Sequence, residues 1–170
     1  MDDPRLEMPL AEVARQLQCC TKQLKSAINR QLRPLQLTES EYLVLWLCHE
    51  AKGEPIVQGH TVAVIGLSPA QLSGLTDRLG KRGILNVDRC DTDRRRQLLS
   101  LTPTGHEIFQ QAQQLLGPLN QQLCVELSQE EVAQFLDLAG RLLAKGASGT
   151  KSGKTTIEPT LRRPNSGAAA

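Results

Sequence analysis

The chain has 170 residues, of which 39% are hydrophobic and 2% aromatic, and its formal net charge is +2. The apolar fraction suffices for one core of ordinary size, but that core must consist mainly of Leu, Val, Ile and Ala. So few aromatic side chains argue against a β-sandwich or barrel and against single-stranded nucleic-acid binding, which stacks bases on aromatic rings. No apolar run approaches the roughly 20 residues of a membrane span. The sequence opens with acidic residues rather than a signal peptide, so we expect a cytoplasmic protein with reduced cysteines.

Positive charge is concentrated in one part of the sequence. Residues 68–101 contain seven Lys and Arg against four Asp, whereas residues 102–146 carry a net charge of −3. The densest basic cluster is formed by Arg94, Arg95 and Arg96. A local basic patch in a nearly neutral chain is typical of a surface that binds a polyanion.

The first third of the chain predicts three helices. Apolar residues recur at steps of three or four through residues 10–32, which indicates a long amphipathic helix that ends at Pro34. Thr38 and Glu41 have the spacing of a capping box and begin a second helix. Residues 60–67 are rich in β-branched types that favour a strand, but the capped helix that follows them favours a short helix instead.

The middle of the chain predicts a capped helix followed by a hairpin. Ser68 and Gln71 form a second capping box, Pro69 suits the first helical position, and Gly83 suits the end. Residues 84–89 and 97–101 read as two short strands joined by a charged loop.

The last part of the chain predicts two further helices and a tail. One helix begins at Pro103, and Gly117-Pro118 should kink it or interrupt it briefly. A third capping box at Ser128 begins the last helix, which should end at Gly146. Residues 147–170 contain almost no large apolar side chain, so we expect a disordered basic tail.

A short helix, a turn, a capped helix and an arginine-tipped hairpin follow one another as in a winged helix-turn-helix. A helix that enters the major groove carries short polar side chains near its N-terminus, and Gln71 and Ser73 fit that role. The N-terminal end at Ser68 favours a phosphate. The hairpin would reach the neighbouring minor groove, where narrow stretches attract arginine.

Three segments together resemble the MarR family of bacterial regulators. They are IGLSPAQLSGLTDRLGKRGIL at residues 65–85, the Asp93-Arg94-Arg95 triplet, and LTPTG at residues 101–105. The resemblance is carried by residues 37–108 and extends over about residues 8–146. It implies a mainly α domain at residues 1–146, with a DNA-binding core at 37–105, a small β-hairpin wing, and dimerisation helices on both sides.

The resemblance also implies partners and site residues. The family binds pseudo-palindromic double-stranded operators as homodimers, here through residues 10–32 and 106–143. Most members are repressors, and many are relieved by a phenolic ligand or by cysteine oxidation. We therefore expect no cofactor, but an inducer of unknown identity. Arg95 would enter the minor groove, and Asp93 would hold the wing by pairing with an arginine. The implied recognition-helix residues are Ser68, Pro69, Gln71, Ser73, Gly74 and Arg78, and the implied wing residues are Arg89, Asp93, Arg94, Arg95 and Arg96.

Two features favour a different function. Gly74 stands where many family members carry Arg or another contacting residue, and the first helix of the motif is unusually β-branched. Both fit a winged-helix module that has lost DNA recognition and binds a protein. Steep salt dependence of DNA binding would separate the two hypotheses, because only binding to phosphates releases counterions.

Other sites receive little support from the sequence. Cys90, Cys19 and Cys20 are candidates for redox sensing, of which Cys90 lies nearest to cationic residues that would activate a thiol; otherwise Cys20 packs as a small apolar residue. No metal site is predicted, because Cys48, His49 and His60 lack a sensibly spaced fourth ligand. No enzymatic motif is present, and the phosphate-loop-like residues 148–155 lack the required strand and helix, so we expect no enzyme.

Overall fold

The computed structural model describes residues 10–90, 93 and 96–147. The chain forms two compact units, one that ends at Leu127 and one that begins at Ser128. The second unit contains one described helix, α6 (Gln129–Ala147). The first unit contains, in chain order, α1 (Leu10–Leu32), a 3₁₀ turn (Arg33–Leu35), α2 (Glu39–Glu50), β1 (Ile56–Val57), α3 (Gln58–Ile65), α4 (Pro69–Lys81), β2 (Leu85–Arg89), β3 (Gln97–Leu101) and α5 (Pro103–Glu126).

Capping boxes set the starts of three helices, as predicted. Thr38 Oγ1 accepts a hydrogen bond from the backbone N–H of Glu41, and Glu41 Oε2 accepts one from the N–H of Thr38. The same reciprocal bonds are present at Ser68 and at Ser128. Each box satisfies two backbone donors that the first helical turn leaves unpaired. Among the described helices, none is long and apolar enough to cross a bilayer.

The β-branched segment of the motif is a helix, α3, as the context predicted. It begins at Gln58, two residues before the predicted segment. Thr61 is fully buried, and its hydroxyl donates to the carbonyl of Val57 at 3.3 Å. This bond satisfies the buried hydroxyl within the helix itself, which explains how a residue with low helix propensity is accommodated.

The predicted hairpin is part of a three-stranded antiparallel sheet in the order β1-β3-β2. Val87 and Ile56 both face Leu99, which is the fully buried centre of the middle strand β3. The sequence did not predict β1, because two residues cannot show the alternation that identifies a strand. The strand widens the sheet by one strand and leads directly into α3.

The core lies between α2, α4, the sheet and α5. Phe109 is its largest buried side chain. The centroid of its ring lies 5.7 Å from that of Tyr42, on which it stacks, and 4.5 Å from that of His49. As the composition predicted, the remainder is mostly aliphatic. The other buried hydrophobic residues are Leu32, Leu37, Val44, Leu45, Cys48, Leu72, Leu75, Leu79, Ile84, Leu85, Leu99 and Ala112.

Of the two outcomes predicted for Gly117-Pro118, the interruption of the helix is wrong, and the kink stays a prediction. Helix α5 continues through Pro118 to Glu126. Proline removes the N–H that would bond the carbonyl of Gln114, and both residues are exposed. Water can therefore replace the missing donor, and the helix tolerates the proline.

The start of α5 approaches the backbone after α4 very closely. The hydroxyl of Thr102 donates to the carbonyl of Gly83 at 2.6 Å, and the N–H of Thr102 donates to the carbonyl of Ile84 at 3.2 Å. A Cβ atom at Gly105 would overlap the carbonyl oxygen of Ile84 and lie 3.3 Å from Leu101 Cδ2. This contact explains the glycine of the LTPTG segment, because only a residue without a side chain fits there.

We expect Gly105→Ala to lower the free energy of unfolding by about 1–3 kcal/mol, because a backbone segment must move to admit the methyl group. Urea denaturation would measure this loss. Gly140→Ala in α6, where an added Cβ meets nothing within 4 Å, is the matched control and should be neutral or stabilising. Equal stability of Gly105→Ala and the wild type would contradict the packing described for this junction.

Candidate nucleic-acid interface

Helix α4 has one buried and one exposed face. Leu72, Leu75, Thr76 and Leu79 are buried in the core. The opposite face therefore remains available to a partner, as a recognition helix requires. Of the predicted recognition residues, Ser68, Pro69, Gln71 and Arg78 are exposed, whereas Ser73 and Gly74 are half-buried.

The capping box determines what Gln71 offers to a partner. Its Oε1 accepts from the N–H of Ser68 at 2.9 Å, and its own N–H donates to Ser68 Oγ at 3.2 Å. The side-chain NH₂ group is thus the part of the amide that this cap does not use. Neighbouring Ser73 accepts a bond from Thr76 Oγ1 with its backbone carbonyl.

Arg78 is engaged with a residue that the sequence assigned only to a cap. Its Nε and Nη2 atoms both lie 3.3 Å from Oε1 of Glu41, which is 4% exposed. The Arg78 side chain itself is 61% exposed. The spacing of a capping box predicts one use of the glutamate carboxylate, and it cannot reveal a partner 37 residues away.

The wing is fixed directly to the end of α4. A Cβ atom at Gly80 would lie 3.6 Å from Val87 Cγ2 and 3.8 Å from the carbonyl oxygen of Leu85, so the last turn of α4 lies against β2. The N–H of Ile84 also donates to the carbonyl of Leu79 at 2.9 Å. The angle between the helix and the hairpin is therefore set by backbone contact rather than by a flexible linker.

The described part of the hairpin tip closes by backbone bonds. The N–H of Cys90 donates to the carbonyl of Arg96, and the N–H of Arg96 donates to the carbonyl of Asp93, both at 2.9 Å. Arg89 and Arg96 are exposed on either side of the tip. Arg94 and Arg95 lie outside the described residues. Of the predicted tail at 147–170, Ala147 is the last residue of α6, and residues 148–170 lie outside the described residues. The pairing of Asp93 with an arginine stays a prediction.

Two basic side chains of α4 and its C-terminal cap make hydrogen bonds within the protein. The guanidinium of Arg82 donates to the carbonyls of Gln36 and Leu35 at 2.9 and 2.8 Å. Together with Arg78, it is held by the protein itself. Lys81 is exposed at the end of α4, Arg89 at the end of β2 and Arg96 just before β3.

The cysteines lie in contrasting surroundings. Cys19 and Cys20 are exposed on α1, so Cys20 does not pack into the core of the single chain. Cys90 is half-buried beside the wing tip. Cys48 is buried in α2, and desolvation raises its pKa to about 12. In the part of the chain that the structure describes, no three potential metal ligands come together.

We expect the stability of the wild type to fall with rising pH above about 9 more steeply than that of Cys48→Ala. The thiol pKa is raised from 9.0 to about 12 in the folded state, so the unfolded chain loses its proton first. The contribution of Cys48 is thus complete below pH 9 and is lost as the pH rises towards 12. Urea midpoints measured from pH 8 to 11 would test this, and parallel curves for the two proteins would contradict it.

The chain is similar to known transcriptional regulators. No protein-family model matches the chain. It is 29% identical over 134 residues to the uncharacterized HTH-type transcriptional regulator YhbI of Bacillus subtilis, which covers 78% of this chain and 85% of the relative. A MarR-family transcriptional regulator of Rhodococcus sp. RHA1 superposes with a TM-score of 0.70 at 24% identity, and covers 81% of this chain and 96% of its own.

A further structure connects this fold with DNA. A mutant of MarR from E. coli in complex with operator DNA has a TM-score of 0.67 and 27% identity, covering 84% of this chain and 99% of its own. The MarR resemblance and the mainly α winged helix-turn-helix fold predicted from the sequence are confirmed. The similar proteins are regulators, which also confirms the prediction that the chain is not an enzyme.

Proposed function

We propose that this chain, with its MarR-like fold, is a transcriptional repressor that binds a pseudo-palindromic operator as a homodimer. The observation that carries the proposal is the close packing of α4 on β2 at Gly80, which presents an exposed helix face and a basic hairpin together. A major groove and the adjacent minor groove lie side by side on a duplex, so a fixed pair of elements can enter both.

In the proposed complex, the first turn of α4 lies in the major groove. Gln71 donates through its NH₂ group to acceptors on base edges, and the positive end of the helix dipole faces a phosphate. Arg95 enters the minor groove at the wing tip. Lys81, Arg89 and Arg96 are exposed and neutralise phosphates beside these two elements.

Exposed apolar side chains support the dimer. Leu10, Leu17 and Leu24 are 80%, 44% and 45% exposed along one stripe of α1. Leu123 and Val125 are exposed on α5, and Phe135, Leu136 and Leu138 on α6. So many exposed large hydrophobic residues mark an interface, and a second copy would cover them by a two-fold axis. The same axis would present two α4 helices to half-sites about 34 Å apart.

An inducer would fit a cavity of about 390 Å³ between α1 and α5. Leu24, Ile28 and Leu116 supply apolar walls, while Gln113 and Asn120 supply amide groups. This combination suits a small, mostly apolar molecule with one or two polar groups.

The alternative function, a module that binds a protein, is supported by Gly74. The absence of salt-dependent duplex binding would favour this alternative.

We expect the protein to select duplexes with two inverted half-sites from a random DNA pool, and its affinity for them to fall steeply with salt. Arg95→Ala should weaken binding by about 1–3 kcal/mol, the value of one good groove contact. Arg15→Gln removes the same charge from α1, where Arg15 pairs with Glu12, and should leave affinity nearly unchanged. Binding that is unaffected by Arg95→Ala would refute the role of the wing.

We expect Leu17→Glu to convert a dimer into a folded monomer, because a charge in an apolar interface cannot be solvated. Light scattering coupled to size-exclusion chromatography would measure the mass. Ser26→Glu adds the same charge about two and a half turns along α1, on the opposite side of the helix, and should leave the dimer intact. A wild-type protein that is monomeric at micromolar concentration would rule out the proposed dimer.

A further inference from the structure

We propose that Arg78 is a positioning residue that acts through Glu41, in place of the DNA contact that the family resemblance implies for it. The pair would hold recognition helix α4 at a fixed orientation to the N-terminus of α2. This inference rests on the proposed function, because orientation matters only if α4 reads a duplex.

The geometry of Glu41 supports this role. Its Oε2 accepts from both the N–H and the hydroxyl of Thr38, each at 2.8 Å. Its Oε1 accepts from Nε and Nη2 of Arg78. The two oxygens of one carboxylate are thus divided between the start of α2 and the middle of α4. A buried carboxylate is costly without a paired cation, so breaking the pair should disturb the contact between the helices.

The N-terminus of α2 is in turn attached to α1. The N–H of Glu39 donates to Asn29 Oδ1 at 2.7 Å, and Lys25 Nζ lies 3.4 Å from Glu39 Oε2. Polar contacts therefore run from the proposed dimerisation helix α1 through α2 to α4. In a homodimer, this series would set the direction of each recognition helix relative to the partner's.

Arg82 supplies a second attachment one helical turn after Arg78. Its two Nη atoms donate to the carbonyls of Leu35 and Gln36 at the end of the 3₁₀ turn, where Gln36 has a left-handed backbone with φ 51°. Residues four apart lie on the same helix face. Arg78 thus holds the first turn of α2, and Arg82 holds the connection between α1 and α2.

Gly74 fits the same interpretation. It lies one turn before Arg78, and a Cβ atom built on it would be 3.9 Å from Arg78 Nη1. A cation at this position would lie beside the guanidinium and compete for Glu41. The departure from the family pattern is then a consequence of using Arg78 internally, rather than a sign that DNA binding is lost.

Operator titrations over a range of salt concentrations separate the two roles of Arg78. For a positioning residue, Arg78→Gln and Glu41→Gln each weaken operator binding by about tenfold, and the double variant is no weaker than either single one. The slope of log affinity against log salt stays at the wild-type value, because no phosphate contact is lost.

A direct DNA contact gives the opposite pattern. Arg78→Gln would then reduce the salt slope by about 1, and Glu41→Gln would leave binding unchanged or strengthen it by removing a negative charge. Either result, or unchanged affinity in both single variants, would overturn the inference. Arg78→Lys keeps the charge and should retain an intermediate affinity if pairing with Glu41 is what matters.

Separate control experiments test the folding of the variants and the proposed function. Circular dichroism and light scattering would establish that each variant is folded and has the wild-type mass. If Glu41→Gln does not fold, the two Arg78 variants carry the test, since that side chain is mostly exposed. A wild type without salt-dependent duplex binding would refute the proposed function itself, whereas a binding wild type with unaffected variants would refute only the role of Arg78.

Discussion

The close approach of Gly105 to the carbonyl of Ile84 is the constraint on which the rest of the winged unit depends. Helix α4 has just ended at this point, β2 begins at the next residue, and β3 and α5 meet at Thr102. Four elements therefore share one small volume, which the glycine keeps free of side-chain atoms. Because the junction is made of backbone, it tolerates little adjustment, and it fixes the end of α4 against the start of β2.

Beside the apolar packing of Leu32 in the core, a second set of contacts, which is polar, attaches the winged unit through α2 to the long helix α1. Every buried side-chain nitrogen and oxygen atom in the described part of the chain has a hydrogen-bond partner, and Glu41 illustrates how this is achieved. The carboxylate begins one helix and pairs with an arginine of another. Apolar packing would hold the two helices together, but directional bonds to a single buried group also define their relative orientation.

The sequence was informative wherever a structural cause lies within a few residues of its effect. The capping boxes at Thr38 and Ser68 operate over three residues, so the starts of α2 and α4 were predictable. The exposed face of α4 follows from helical periodicity in the same way. Strand β1 and the Arg78–Glu41 pair depend on residues dozens of positions away, for which one sequence contains no signal. Of the predicted kink or break at Pro118, the break was wrong because local propensity took no account of solvent access to the orphaned carbonyl.

The cap on α4 has a consequence for the bases that the helix would prefer. The Hoogsteen edge of adenine presents one acceptor and one donor, so a glutamine reads it with its oxygen and nitrogen together. Here the oxygen of Gln71 is already bonded to the main chain at Ser68. Guanine presents two acceptors on that edge, and thymine one, which the remaining NH₂ group can satisfy. In the proposed complex, guanine or thymine opposite this residue would need only the free NH₂ group, whereas adenine would have to share Oε1 with the N–H of Ser68.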